Sequence, residues 1–258
     1  MTIFKKFFQS KNLNFPFKKK IKINIHKNYY ELIYLKNKKI YKKLSYNTEG
    51  IKKIIKERDG IIWYCKKTDY KNSKIIKNFK TENKYAELDL IEINGKKLKS
   101  WDPLVKNINY VNRLINFYFL NFMKTKKMEI HGDLTLDNII FKKRGLFIID
   151  WEYFGGKKKL WGYDVAYFVL SSLCLPYICH KKIFPKDETL FIKLWEKLQK
   201  NGVSKKILSS PFEYFEKEIK NDSILKKGYL ISKSKFFPFI TNFKYKIRIK
   251  KLINKIYE

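Results

Sequence analysis

His131-Gly-Asp-Leu-Thr-Leu-Asp-Asn-Ile-Ile-Phe141, or HGDLTLDNIIF, decides how this chain is read. Aspartate and glutamate supply only 24 of its 258 residues. Yet these eleven positions hold a histidine, two aspartates and an asparagine, and they run straight into apolar strand residues. Shortly after comes GLFIIDW (Gly145–Trp151), a second apolar run that carries Asp150 near its end. With Arg144-Gly145 as a turn, the two runs pair as a hairpin. Asn138 and Asp150 then stand near opposite ends of their strands, and Asp133, five residues before Asn138, can loop across the hairpin's mouth. An amide and a carboxylate converging without histidine or cysteine suit a hard cation such as Mg²⁺. A second carboxylate close by can accept a proton from a hydroxyl.

Residue types, order and spacing together resemble a known pattern. H-x-D-L-x-x-x-N, followed some twelve residues later by an Asp in an apolar strand, is similar to the catalytic loop and metal-binding Asp of protein-kinase-like phosphotransferases. HGDL…N followed by IDWE resembles the aminoglycoside phosphotransferase and choline kinase branch. Further segments resemble that branch too: YDVA (Tyr163–Ala166), the hinge-like LDLIEINGKKL, the strand IYKKLS and the helix KERDGIIWY. The likeness runs from about Ile21 to Leu170. It implies ATP and Mg²⁺ as cofactors. Asp133 would be the base or orienter for the acceptor hydroxyl, Asn138 and Asp150 would hold Mg²⁺, and Glu92 and Asn94 would lie at the nucleotide. Lys43, or alternatively Lys42, would meet the phosphates. Glu57 would pair with that lysine, because it shares a helix face with Ile54 and Ile61; Glu49 reads as a helix-dipole residue. His131 is expected to support the loop, and Asp164 either to brace the loop backbone or to cap its own helix.

Outward from the motif, the pattern is that of an α+β chain. IKINI, YYELIYL and KKIYKKLS alternate or run apolar and read as three antiparallel strands. A helix follows, capped by Thr48, with Ile51, Ile54, Ile55 and Ile61 at helical spacing and an end near Tyr64. SKIIKNF and YAELDLIEI add two strands before Asn94-Gly95 turns the chain. Beyond Trp101 the texture is helical, from PLVKNINYVNRLINFYFLNFMK to the basic amphipathic KIRIKKLINKIYE. The expected architecture is the kinase-like two-lobe one. It has a basic segment at 1–20, a small antiparallel β lobe with one helix at 21–94, and a larger, mainly helical lobe at 95–258. No glycine precedes Gly50, so the HKN turn between the first two strands would have to stand in for a glycine-rich phosphate loop.

Lysine and arginine number 58, giving a formal charge of +34. The charge is spread along the chain and is nearly all lysine, the signature of a lysine-rich composition rather than of a nucleic-acid-reading patch. Three cysteines fit a reducing compartment, and the apolar window Val165–Ile178 is too short to span a bilayer and contains Pro176. A cytoplasmic protein is expected. Only thirteen residues separate Asp150 from Asp164 and no A-P-E follows, which favours a small-molecule acceptor over a protein. The scarcity of acids favours a neutral or anionic hydroxyl compound, such as a sugar, an amino alcohol or a lipid-linked saccharide, over a polycation. In PFEYFEKE (Pro211–Glu218) the acids and aromatics either recognise a quaternary amine or form a packed helix face. The competing class is a catalytically degenerate kinase-like shell, or a basic module gripping nucleic acid or an anionic membrane. No specific nucleic acid is expected; peripheral contact with anionic membrane is compatible with the charge.

Overall fold

The computed structural model describes residues 21–26, 30–226 and 244–257. The basic segment 1–20 and the turn after His26 lie outside the described residues. The chain divides into two compact units, residues 1–94 and 95–258.

The first unit is an antiparallel sheet of β1 (Ile21–His26), β2 (Tyr30–Leu35), β3 (Ile40–Ser45), β4 (Ile76–Glu82) and β5 (Tyr85–Ile91), in the order β1-β2-β3-β5-β4. Helix α1 (Thr48–Thr68) connects β3 to β4. Its N-cap is Asn47 rather than the expected Thr48: the Gly50 amide donates to Asn47 Oδ1 at 2.8 Å, and Thr48 becomes the first helical residue. The helix also runs past Tyr64 to Thr68 and stops at Asp69, which is left-handed with φ 55°. The buried stripe of α1 is Ile54, Glu57, Ile61, Tyr64 and Cys65, an i, i+3, i+4 pattern. Ile54 packs on Ala86 and Leu88 of β5, with Leu32, Ile51, Ile76, Phe79 and Leu90 around them. Ile76 and Phe79 are three apart, yet both pack against this cluster, because a register shift between Ile76 and Asn78 inserts one residue into β4.

The second unit is mainly helical. It contains α2 (Leu104–Asn121), α3 (Tyr163–His180), α4 (Pro185–Lys200), α5 (Lys205–Leu208), α6 (Pro211–Lys220) and α7 (Lys246–Asn254). Three-stranded β6-β8-β9 (Lys96–Lys97, Ile139–Phe141, Leu146–Ile148) and the ribbon of β7 (Lys127–Met128) with β10 (Lys159–Leu160) complete it. Helix α3 is buried on every side from Tyr163 to Cys174 and forms the centre of this unit. Among the described residues no helix is long and apolar enough to cross a membrane. The basic C-terminal helix α7 is docked rather than free: Ile249 and Ile253 are buried, and Arg248 makes a bidentate pair with Glu188 at 2.5 and 2.8 Å. In α6, Phe212, Tyr214 and Phe215 are buried while Glu213 pairs with Lys250 and Glu216 with Lys220, so these residues form a packed face.

Helix α2 begins at Pro103, whose side chain caps nothing. Its first amides are taken instead by Asp187 of α4, fully buried, which accepts from Leu104 at 2.7 Å and Val105 at 2.9 Å. Asp187→Ala should therefore leave the buried Leu104 amide and the neighbouring Val105 amide without their acceptor and lower stability by about 1–3 kcal/mol in urea unfolding, whereas Glu196→Ala on the same helix, half-buried, should change it little.

Candidate active site

In the first unit the site residues are set by strand alternation. Leu32, Lys43, Leu88 and Phe79 are register partners across β2, β3, β5 and β4, and the three apolar ones face α1. Lys43 thus projects from the helix-facing side among hydrocarbon, where a charge needs a partner. It pairs with Glu57 of α1, and both are buried, at 7% and 2% exposure. Lys42 points to the opposite face, toward Glu87 at 2.5 Å and Asp89 at 3.4 Å on β5. Of the two candidate lysines, Lys43 is the one joined to Glu57. Two residues back on the same face, Tyr41 stacks on Tyr34 with ring centroids 4.6 Å apart. The Tyr34 phenol donates to Glu92 at 2.9 Å, so Glu92 is engaged by the sheet; Asn94 is exposed.

In the second unit the loop of residues 131–138 is anchored from several directions. Leu134 and Leu136 are buried, and Asp137 exchanges bonds with Ser100 in both directions: the Asp137 amide donates to Ser100 Oγ at 3.2 Å, and the Ser100 amide to Asp137 Oδ1 at 3.3 Å. Asp164, at the second position of α3, accepts the His131 amide at 2.8 Å and the Gly132 amide at 3.1 Å. It braces the loop backbone and is not a cap for its own helix. Gly132 is left-handed (φ 88°), and a Cβ there would lie 2.8 Å from Tyr153 Cβ and 2.9 Å from Leu225, so only glycine fits. The hairpin turn is held by Arg113, which donates to the carbonyls of Lys142 at 2.7 Å and Gly145 at 3.0 Å.

His131 is a structural residue here. Its Nε2 meets the Ile149 carbonyl at 2.8 Å and its Nδ1 accepts the Asp133 amide at 3.3 Å, so the proton sits on Nε2. Burial pulls its pKa down to about 4, which keeps the ring neutral. It also packs on Trp151 at 4.7 Å.

Asp133, Asn138 and Asp150 gather at one end of the hairpin. Ile139 pairs with Ile148, and the Ile149 amide donates to the Asn138 carbonyl at 2.9 Å, so residues 138 and 150 adjoin. Strand β9 ends at Ile148, shorter than the apolar run suggested, because Asp150 turns left-handed (φ 67°). A non-glycine residue held there carries backbone strain of the kind concentrated at functional sites. Asn138 donates Nδ2 to the Asp133 carbonyl at 2.8 Å, which leaves its Oδ1 as the outward acceptor. Burial first, and then the charge of Asp150, push the Asp133 carboxyl up to about 7, while the Tyr167 phenol at 3.4 Å works the other way. An amide oxygen beside two carboxylates that repel each other is a donor set that a hard divalent cation would relieve.

Sequence reasoning missed several residues on which the loop depends. Asp222, fully buried, accepts the amides of Lys157 (2.9 Å), Ile224 (3.0 Å) and Leu225 (3.2 Å), and it pairs with buried Lys159 at 3.2 Å. It thereby positions Leu225 against Gly132. Nothing local in the sequence announces an acid that acts across 65 residues.

No family model matches the chain, and no curated protein matches it. Among solved structures it is similar to the crystal structure of a protein from Haemophilus somnus 129PT described as a "Putative fructosamine-3-kinase". The identity is 12%, over 97% of this chain and 91% of that one, with a TM-score of 0.37.

Two outcomes follow from the electrostatics. Lys43→Met should cost about 3–5 kcal/mol by leaving the Glu57 carboxylate buried without its ammonium, and adding Glu57→Leu should recover most of the loss in urea unfolding. The Asp133 carboxyl, raised in the fold, binds its proton more tightly than in the unfolded chain. Its effect on stability is therefore nil below about pH 4 and increasingly unfavourable as pH rises toward 7. Asp133→Asn should accordingly stabilise the protein by on the order of 2 kcal/mol at pH 8 and by much less at pH 4.5, read from unfolding midpoints at the two pH values.

Proposed function

We propose that this chain is an ATP- and Mg²⁺-dependent phosphotransferase of the protein-kinase-like kind, moving the γ-phosphate to a hydroxyl of a small molecule. The observation that carries this reading is the gathering of Asp133, Asn138 and Asp150 at one hairpin end, on a loop whose backbone is clamped by Asp164. The element order supports it: an antiparallel sheet with a helix between its third and fourth strands, then a helical unit bearing the acid loop and hairpin. So does the buried Lys43–Glu57 pair, a lysine held ready for anionic oxygens.

Each residue would have a defined task. Asp133 would accept the proton of the acceptor hydroxyl as its oxygen attacks phosphorus. Asn138, through Oδ1, and Asp150 would hold Mg²⁺, which supplies charge neutralisation for the transferring phosphoryl group. Lys43 would meet the phosphates, oriented by Glu57, and Glu92 and Asn94 would border the nucleotide. The rate advantage would come from alignment and fixed charge rather than from covalent chemistry. A neutral or anionic acceptor suits the lysine-rich surface better than a polycation does: a sugar, an amino alcohol or a lipid-linked saccharide.

Labelled ATP with Mg²⁺ and a panel of such hydroxyl compounds tests this directly. Label should move to an acceptor, and Mg²⁺·ATP should raise the thermal midpoint. Asp150→Ala should remove the Mg²⁺-dependent stabilisation, and Asp133→Ala should keep it while lowering turnover by about 10²–10⁴-fold. If Mg²⁺·ATP leaves the midpoint unchanged, the degenerate or basic-binding alternative replaces the enzyme.

A further inference from the structure

The acid loop is gripped by one face of α3, and that grip reaches beyond the backbone. Asp164 and Tyr167 are three residues apart and so lie on the same side of the helix. The first takes the His131 and Gly132 amides, and the second donates its phenol to Asp133 Oδ1 at 3.4 Å. That distance is long for an O–H···O bond. Bonds of this length to a reacting carboxylate tighten when substrate is in place.

Tyr167 is fully buried, and its ring is held edge-on by Phe215 of α6 at 5.5 Å and 87°. Packing alone would be met by phenylalanine. The hydroxyl is therefore the part that needs explaining, since burying a phenol is unfavourable unless it is bonded. Tyr163, one turn earlier on α3, supplies the contrast: its phenol is buried with no hydrogen-bond partner among the described residues. A phenol in this part of the core does not find an acceptor by default, and that of Tyr167 is directed at Asp133.

We propose that Tyr167 is a positioning residue for phosphoryl transfer: its phenol fixes the Asp133 carboxylate by Oδ1, so that the other oxygen, Oδ2, is presented to the acceptor hydroxyl. The proposal rests on the phosphotransferase reading above. Helix α3 then holds the loop at two levels, main chain through Asp164 and reacting side chain through Tyr167.

The test is Tyr167→Phe, assayed with labelled Mg²⁺·ATP on the best acceptor of the panel, or on water if water is the fastest. Turnover should fall by about 10–10²-fold, with the KM for ATP and the thermal stabilisation by Mg²⁺·ATP unchanged. In an Asp133→Asn background the same substitution should have no further effect, because its action runs through that carboxylate. The proposal is overturned by unchanged turnover in Tyr167→Phe, by a parallel loss of Mg²⁺·ATP stabilisation, or by losses that multiply in the double variant. If Asp133→Asn alone keeps full turnover, or the native protein moves no label, the underlying reading fails and this proposal falls with it.

Discussion

The carboxylate of Asp164, bonded to the amides of His131 and Gly132, is the contact on which the placement of the loop of residues 131–138 depends. It is buried, and burial raises its pKa to about 6 although the two amides favour the charged form. Because it stands at the start of α3, which is buried on every side from Tyr163 to Cys174, the loop is tied directly into the core of this unit. Everything downstream is referenced to this point: the left-handed Gly132, the neutral His131 ring, and Asp133, whose amide donates to that ring.

A common economy links the buried acids of this unit. The chain is flooded with lysine, and an ammonium can donate but never accept. Main-chain amides that lose water therefore compete for a small supply of carboxylates. Asp137, Asp164, Asp187 and Asp222 each receive at least one such amide. Four of the scarce acids thus serve as acceptors for backbone, tying α2 to α4, α3 to the loop, and the stretch after Trp151 to residues 222–225. Asp133 and Asp150 differ from these four: with Asn138 they crowd one point, and they raise the energy of each other's charged form.

Much of the first unit was legible in the sequence because alternation and helical spacing are local signals. The strands β2 to β5, α1 and the buried orientation of Glu57 follow from periods of two and of three to four. Local signals also misled. Thr48 reads as a cap, but the Gly50 amide donates to Asn47, one residue earlier. The apolar run through Asp150 promises a long strand, but the left-handed backbone at that residue ends it, and no composition rule foretells a positive φ on aspartate. In the second unit the motif residues were evident from type and spacing. Asp187, Asp222 and Tyr167 were not, since each acts on a segment dozens of positions away, and a tyrosine inside an apolar helix looks like any other core residue.

The Lys43–Glu57 pair has a consequence for pairing accuracy. Strand β3 reads IYKKLS, with lysines on both faces and few side chains that differ sharply from one face to the other. Slipped by one position, such a strand would still make nearly the same number of main-chain bonds. In the register that puts Leu44 in the place of Lys43, Lys43 would join the acids of β5 and the Glu57 carboxylate would face a leucine in place of its ammonium. One ion pair placed in oil thus acts as a frameshift lock against slippage in that direction, rejecting an arrangement that hydrophobicity alone would have tolerated.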